Sequence, residues 1–164
     1  MPADPPPTFA TDPATAAYYE QRAAEYDEWY AGEGVFAERD RPGWSEELAE
    51  LVALVGDLPP RRTLDIACGT GFLTRHLSGY VVGVDQSPSM VAIAQSRLPA
   101  GLALQADALA LPFPDQAFER VFTGHFYGHL PEFKRFLSGP QLAAEIDGTV
   151  LMDGRWFVAA ASGH

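Results

Sequence analysis

Cysteine is nearly absent from this chain: the 164 residues include one, Cys68. A lone cysteine makes no internal disulfide, which excludes a disulfide-stapled scaffold and makes a reducing cytoplasm the expected compartment. Long apolar runs are missing too. None approaches the roughly 18 residues a membrane helix needs. The opening stretch MPADPPPTFATDP has neither the basic segment nor the apolar segment of a secretory leader. Clustered positive charge is also lacking. The net charge is −11, and it is uneven: residues 1–60 hold 13 acids and 3 bases, residues 61–164 hold 9 acids and 8 bases. Without a Lys/Arg cluster the phosphate-neutralising term that dominates nucleic-acid affinity is lost, so no nucleic-acid partner is expected. The acidity reads as solubility. What remains, 47% hydrophobic and 20% charged residues with no internal repeat, describes one domain large enough to bury a core.

Residues 1–12 read as a Pro-rich disordered tail, 13–57 as a helical cap and 58–164 as the main domain, packed with the cap into one unit. Thr11-Asp12-Pro13 is a helix start, a capping side chain before Pro at the first helical position. Tyr19, Ala23, Tyr26 and Tyr30 follow at offsets of 4, 3 and 4, on one helix face. A loop with Gly32 and Gly34 ends that helix. Ser45 is expected to cap a second helix, with Glu46 and Glu47 suiting its N-terminal dipole. Leu48, Leu51, Val52 and Val55 form its apolar stripe, and Gly56 its stop.

After Pro59-Pro60 the pattern becomes strand and helix in alternation. Strands are expected at 63–67, 80–84, 102–105 and 118–123. A short helix should run through Leu77, and another, opened by Ser87-Pro88, should carry Met90, Val91, Ile93 and Ala94. Such alternation predicts a parallel sheet covered on both faces. Thr149–Met152, Asp153-Gly154 and Arg155–Ala160 read as a hairpin around a type I′ turn.

The chemistry concentrates at the strand ends. Leu64-Asp65-Ile66-Ala67-Cys68-Gly69-Thr70-Gly71-Phe72 is a strand running into a glycine turn that opens a helix, where backbone N–H groups face a ligand at close range. Asp85 ends the next strand, 20 residues after Asp65, where a carboxylate can accept from both hydroxyls of a ribose. Asp107 ends the third strand. In an open α/β sheet these acids converge on one crevice. Beyond the fourth strand lies Gly124-His125-Phe126-Tyr127-Gly128-His129. These two histidines admit three readings: a general base, a metal pair if helical, or loop structure. No third ligand is evident, so no metal is expected. Cys68 reads as a small packing residue. The tyrosine stripe reads either as core or as part of a ligand site.

These residues resemble the class I S-adenosylmethionine-dependent methyltransferases. The family's glycine motif matches Asp65-Ile66-Ala67-Cys68-Gly69-Thr70-Gly71, with Ala67 where many members have the first glycine. Asp85-Gln86-Ser87-Pro88-Ser89-Met90 is similar to the ribose-binding acid and its turn. Ala106-Asp107-Ala108 with Leu111-Pro112-Phe113 is similar to the adenine-side loop, and Tyr18-Tyr19 with Arg22 through Glu25-Tyr26-Asp27 to the helix covering the cofactor in many small-molecule methyltransferases. The resemblance covers roughly residues 15–130 and the last hairpin. It implies a Rossmann-like α/β fold: a mostly parallel twisted sheet, helices on both faces and a C-terminal antiparallel hairpin. It also implies S-adenosylmethionine as cofactor and a small-molecule methyl acceptor. Asp65 would reach the cofactor amino group, and Ala67, Gly69 and Gly71 would shape the turn around the methionine moiety. Asp85 would hold the ribose, and Gln86 or Met90 would lie against the adenine. Asp107, with the Ala108 backbone, would meet the adenine amino group, and Tyr19 or Tyr26 would lie over the sulfonium. His125 or His129 would serve as base where the acceptor must lose a proton.

Two other functions fit parts of the pattern. One is a cofactor-binding module without catalysis. The other is an NAD-dependent oxidoreductase, although Gly69-Thr70-Gly71-Phe72-Leu73-Thr74 lacks the third glycine of that fingerprint. The chain also departs from the family: about 20 residues separate Leu130 from Thr149, too few for a helix, a fifth strand and another helix. An internal segment holding the fifth strand is therefore expected to be absent. That would leave the fourth strand with an open edge unless the hairpin moves in beside it. A monomer, or a homodimer covering that edge, is the expected state.

Overall fold

A computed structural model describes residues 13–34, 37, 42–108, 110–124 and 158–162. Its helices are α1 (Pro13–Arg22), α2 (Tyr26–Ala31), α3 (Trp44–Asp57) and α4 (Pro88–Arg97). Its strands are β1 (Thr63–Ile66), β2 (Val81–Asp85), β3 (Leu102–Gln105), β4 (Arg120–Gly124) and β5 (Val158–Ser162). The sheet order is β3-β2-β1-β4-β5. The first four strands are parallel, with Asp65 level with both Gly83 and Phe122. β5 pairs antiparallel with β4, from Arg120↔Ser162 to Gly124↔Val158. The edge of β4 is thus filled by a C-terminal strand, as expected if the hairpin moves in. The first arm of that hairpin lies outside the described residues, as does the Pro-rich tail.

Strand alternation sorts the core into two faces. Thr63, Asp65, Val81, Gly83, Ala103 and Phe122 share one face by register. On it, Val81 and Phe122 pack with Tyr30 of α2 and with Leu51 and Val55 of α3. Ala103 packs with Cys68 and with Ala94 of α4. The other face carries Leu64, Val82 and Val84 beneath Ile66, Leu104, Leu111, Phe113 and Phe118. Among the described residues, then, the helices cover one face and the loop after β3 covers the other, where two-sided helical cover was expected. The loop does this with aromatics: Phe113 and Phe118 meet edge to face, centroids 5.0 Å apart.

The helical cap departs from a single helix. α1 ends at Arg22, a 3-10 turn covers Ala23–Glu25, and α2 ends at Gly32, whose φ of 69° is the left-handed stop. The tyrosine stripe survives the break: Tyr19–Tyr26 and Tyr26–Tyr30 centroids lie 6.2 and 6.1 Å apart. Two expectations are corrected in α3. The helix starts at Trp44, with Gly43 (φ 78°) in the capping place, and Ser45 lies inside the first turn, donating to Glu46 Oε2 at 2.9 Å. Its end is also later than Gly56, at Asp57. Trp44 sets this geometry, because its Nε1 donates to the Tyr30 carbonyl at 2.8 Å and ties α3 to α2. The helix expected through Leu77 is only a 3-10 turn, Thr74–His76. Few residues separate Gly71 from Gly79, both at positive φ, and a helix nucleus is costly over so short a span.

Candidate functional site

The glycine turn is built from left-handed backbone. Ala67, Gly69 and Gly71 have φ of 58°, 54° and 75°. A Cβ on Gly71 would come within 3.2 Å of the Ala94 Cα, so this glycine lets α4 pack. A Cβ on Gly69 would meet only the Tyr26 Cε1, at 3.6 Å. Gly69 therefore keeps open the space between the turn and the cap. That space is a crevice lined by Tyr26, Tyr30, Asp65, Gly69, Phe72 and Phe122, among others. Tyr30 stacks on Phe72, with rings 4.1 Å apart and 3° from parallel.

Asp65 is 2% exposed at this crevice. Thr74 Oγ1 donates to its Oδ2 at 2.6 Å, and its buried Oδ1 has no partner. Burial pushes its pKa up to about 7, against the Thr74 hydrogen bond and with a further rise from Asp85. A buried acceptor without a donor is costly, and a ligand N–H would relieve it. Asp85 sits at the end of β2. Its Oδ2 accepts from the Gly69 N–H and its Oδ1 from the Ser87 N–H, each at 3.0 Å. Burial raises its pKa, opposed by these backbone bonds, and the charge of Glu20 adds to the rise. The Gln86 N–H also opposes the rise, and a carboxylate's roughly four lone-pair sites leave room for a further donor.

The remaining candidates divide. The Gln86 carbonyl accepts from Gln105 Nε2 at 3.0 Å, linking the ends of β2 and β3. Asp107 and Ala108 are half-buried in the loop that follows, where the Ala106 N–H donates to the Asp85 carbonyl at 3.0 Å. Met90 is 1% exposed, in the interior rather than on the crevice wall. Tyr19 is half-buried, its hydroxyl pKa raised by burial, by Tyr18 and by the charge of Asp85. Tyr26 lines the crevice, and burial pushes its hydroxyl pKa well up. Cys68 is buried, and burial pushes its thiol far up, as suits a packing residue. His125 and His129 lie outside the described residues. No cluster that could hold a metal occurs among the described residues.

Three further residues, Glu20, Asp27 and Arg97, border these turns. Glu20 accepts from Ser87 Oγ at 2.5 Å, from the Ser89 N–H at 3.2 Å, and from Ser89 Oγ. Asp27 accepts from Thr70 Oγ1 at 2.5 Å and pairs with Arg97. Arg97 in turn donates to the Thr70 carbonyl at 3.0 Å. The signal was present in the spacing: Glu20 and Asp27 are seven residues apart, two helical turns.

Known proteins resemble this chain in sequence and fold. A family model described as a methyltransferase domain matches residues 64–150, more than half of the chain. The demethylmenaquinone methyltransferase of Thermus thermophilus is 41% identical over 95 residues, which cover 52% of this chain and 43% of that protein. The chain thus aligns with less than half the length of this relative. Among solved structures, a DhpI-SAH complex has 25% identity and a TM-score of 0.58, covering 96% of this chain and 81% of that one. Magnesium protoporphyrin IX methyltransferase from Synechocystis PCC 6803, solved with bound SAM, shares the fold with 16% identity and a TM-score of 0.58 over the whole of both chains. The strand order, the left-handed turn between Asp65 and Gly71 and the matched span together place the chain in the methyltransferase domain family.

Proposed function

We propose that the chain binds S-adenosylmethionine and transfers its methyl group to a small molecule. The observation that carries this is the unpartnered, buried Oδ1 of Asp65 beside the open cradle at Gly69. The residues fit the cofactor. Asp65 is an acceptor for a cationic amino group, and Gly69 leaves room for a chain lying along the turn. Asp85 has lone pairs for ribose hydroxyls, Asp107 and the Ala108 backbone suit the adenine edge with Gln86 beside them, and Tyr19 and Tyr26 offer aromatic faces to a cation. Met90 would back the adenine side from the interior. Kinship with methyltransferases, and likeness to a DhpI-SAH complex at 25% identity, support the same reading.

S-adenosylmethionine supplies a methyl group already activated by its sulfonium. The chain's work is therefore alignment and exclusion of water. The stacked Tyr30–Phe72 pair and Phe122 wall the crevice with apolar surface, and the cap lies across it. A base is needed only where the acceptor must lose a proton, and His125 or His129 is assigned that role. The acceptor is a small molecule rather than nucleic acid, given the acidic chain. No described helix is long and apolar enough to cross a membrane. The expected setting is cytoplasmic, as monomer or homodimer. The missing third glycine and the methyltransferase kinship both weigh against NAD chemistry.

The test is methyl transfer from labelled S-adenosylmethionine to a panel of demethylated quinols, phosphoethanolamine and aromatic amines. Label in an acceptor supports the enzyme. Tight cofactor binding with no label in any acceptor would favour a binding module.

A further inference from the structure

The helical cap is held to the nucleotide-side loops by carboxylates at two separate places. Glu20, on α1, takes three hydrogen bonds from Ser87 and Ser89 in the turn after β2. Asp27, on α2, binds Thr70 in the turn after β1 and pairs with Arg97. The turn after β1 lines the crevice, and the two turns are joined by the Gly69–Asp85 hydrogen bond. Between the anchors, Tyr26 reaches into the crevice.

We propose that Glu20 and Asp27 are positioning residues that latch the cap over the crevice at two points, so that ligand entry and exit require both latches to open.

Both anchors are charge-assisted, and both are half-buried, so they outweigh an exposed ion pair. The hydrogen bonds from Ser87 and Ser89 hold the Glu20 carboxyl below its usual pKa, so it stays ionised as the pH falls toward the ordinary carboxylate range. Apolar cover is thin at Tyr18 and Tyr19 of α1, although Ala23 and Tyr26 beyond it are packed. Tyr18 is 53% exposed and Tyr19 only half-buried, whereas Tyr30 at the far end of α2 is 5% exposed and anchored in the core. α1 can therefore swing about Tyr30 once the carboxylates release. The consequence for ligand exchange rests on the proposed cofactor site.

The experiment is amide hydrogen exchange of the full chain without ligand, paired with the dissociation rate of S-adenosylhomocysteine. The variants are Glu20→Ala, Asp27→Ala and the double. The latch predicts exchange across residues 13–31 about tenfold faster or more in the double variant, with β1 and β2 unchanged. It also predicts S-adenosylhomocysteine release faster by a similar factor, and Glu20→Gln falling between parent and Glu20→Ala. Unchanged exchange in the double variant would overturn the latch. So would equal loosening of β1 and β2, which would mean that the carboxylates serve the whole fold. Faster exchange with unaltered release would overturn the gating. If the parent binds no S-adenosylhomocysteine, the cofactor reading fails while the exchange result still decides the latch.

Discussion

The Gly69 backbone N–H donates to Asp85 Oδ2 at 3.0 Å, so the acid that ends β2 closes the turn that follows β1. Asp85 is thereby both a ligand candidate and a brace. Asp85→Ala removes both roles and should weaken S-adenosylhomocysteine binding by about 1–3 kcal/mol. Asp85→Asn keeps an acceptor for one brace and should lose less. Titration calorimetry on the two variants checks this, and equal affinity for parent and Asp85→Ala would remove Asp85 from the site.

The two glycines of the turn should separate binding from folding. Gly71→Ala drives a Cβ to 3.2 Å from the α4 backbone at a left-handed φ, and should destabilise by about 1–3 kcal/mol. Gly69→Ala meets no backbone. Its stability loss should be only about 1 kcal/mol, yet its methyl enters the cradle and should weaken ligand binding more than Gly71→Ala does per unit of stability lost. Urea denaturation and calorimetry on both variants make the comparison.

Ala67 is the converse case. It holds φ of 58° with a side chain, a strain of about 1–2 kcal/mol partly offset by the greater unfolded freedom of glycine. Ala67→Gly should be neutral or stabilising by up to about 1 kcal/mol in urea unfolding. A clear loss of stability would mean that the Ala67 methyl packs more than its conformation costs.

Asp65 makes stability depend on pH. Its folded pKa, about 7, lies above the ordinary aspartate value of 3.8. Between those values the folded state binds the proton that the unfolded state has lost, so stability is full below pH 4 and falls as pH rises through 7. Asp65→Asn keeps an acceptor for Thr74 and removes the charge. Its melting temperature should therefore exceed the parent's at pH 8 and match it near pH 4, while ligand binding weakens. A parent chain whose stability did not fall over this range relative to Asp65→Asn would contradict the buried-acid assignment.

The sheet was readable from the chain because its signals are local. Thr63–Ile66 and Leu102–Gln105 are short β-rich runs beside glycine or proline, and Ser87 caps α4 as its position before Pro88 suggests, accepting from the Met90 N–H. Asp65, Gly69 and Asp85 could be placed together because strand ends in a parallel sheet share an edge. What could not be read depends on tertiary contact. Ser45 has the side chain of a cap, yet the Trp44–Tyr30 hydrogen bond draws the helix start two residues earlier and leaves Gly43 in that place. Thr74 looks like helix interior, but its hydroxyl is committed to a buried acid nine residues back. The spacing of Glu20 and Asp27 sets them two helical turns apart, but only the folded chain shows which turn each faces.

The most direct test of the central claim is titration calorimetry of the full chain with S-adenosylhomocysteine and with NAD in parallel, at pH 7 in two buffers of different ionisation enthalpy. The account predicts micromolar binding of S-adenosylhomocysteine and none of NAD. It also predicts proton release on binding, as the ligand's ammonium stabilises ionised Asp65. Binding of NAD, or of neither ligand, would contradict it.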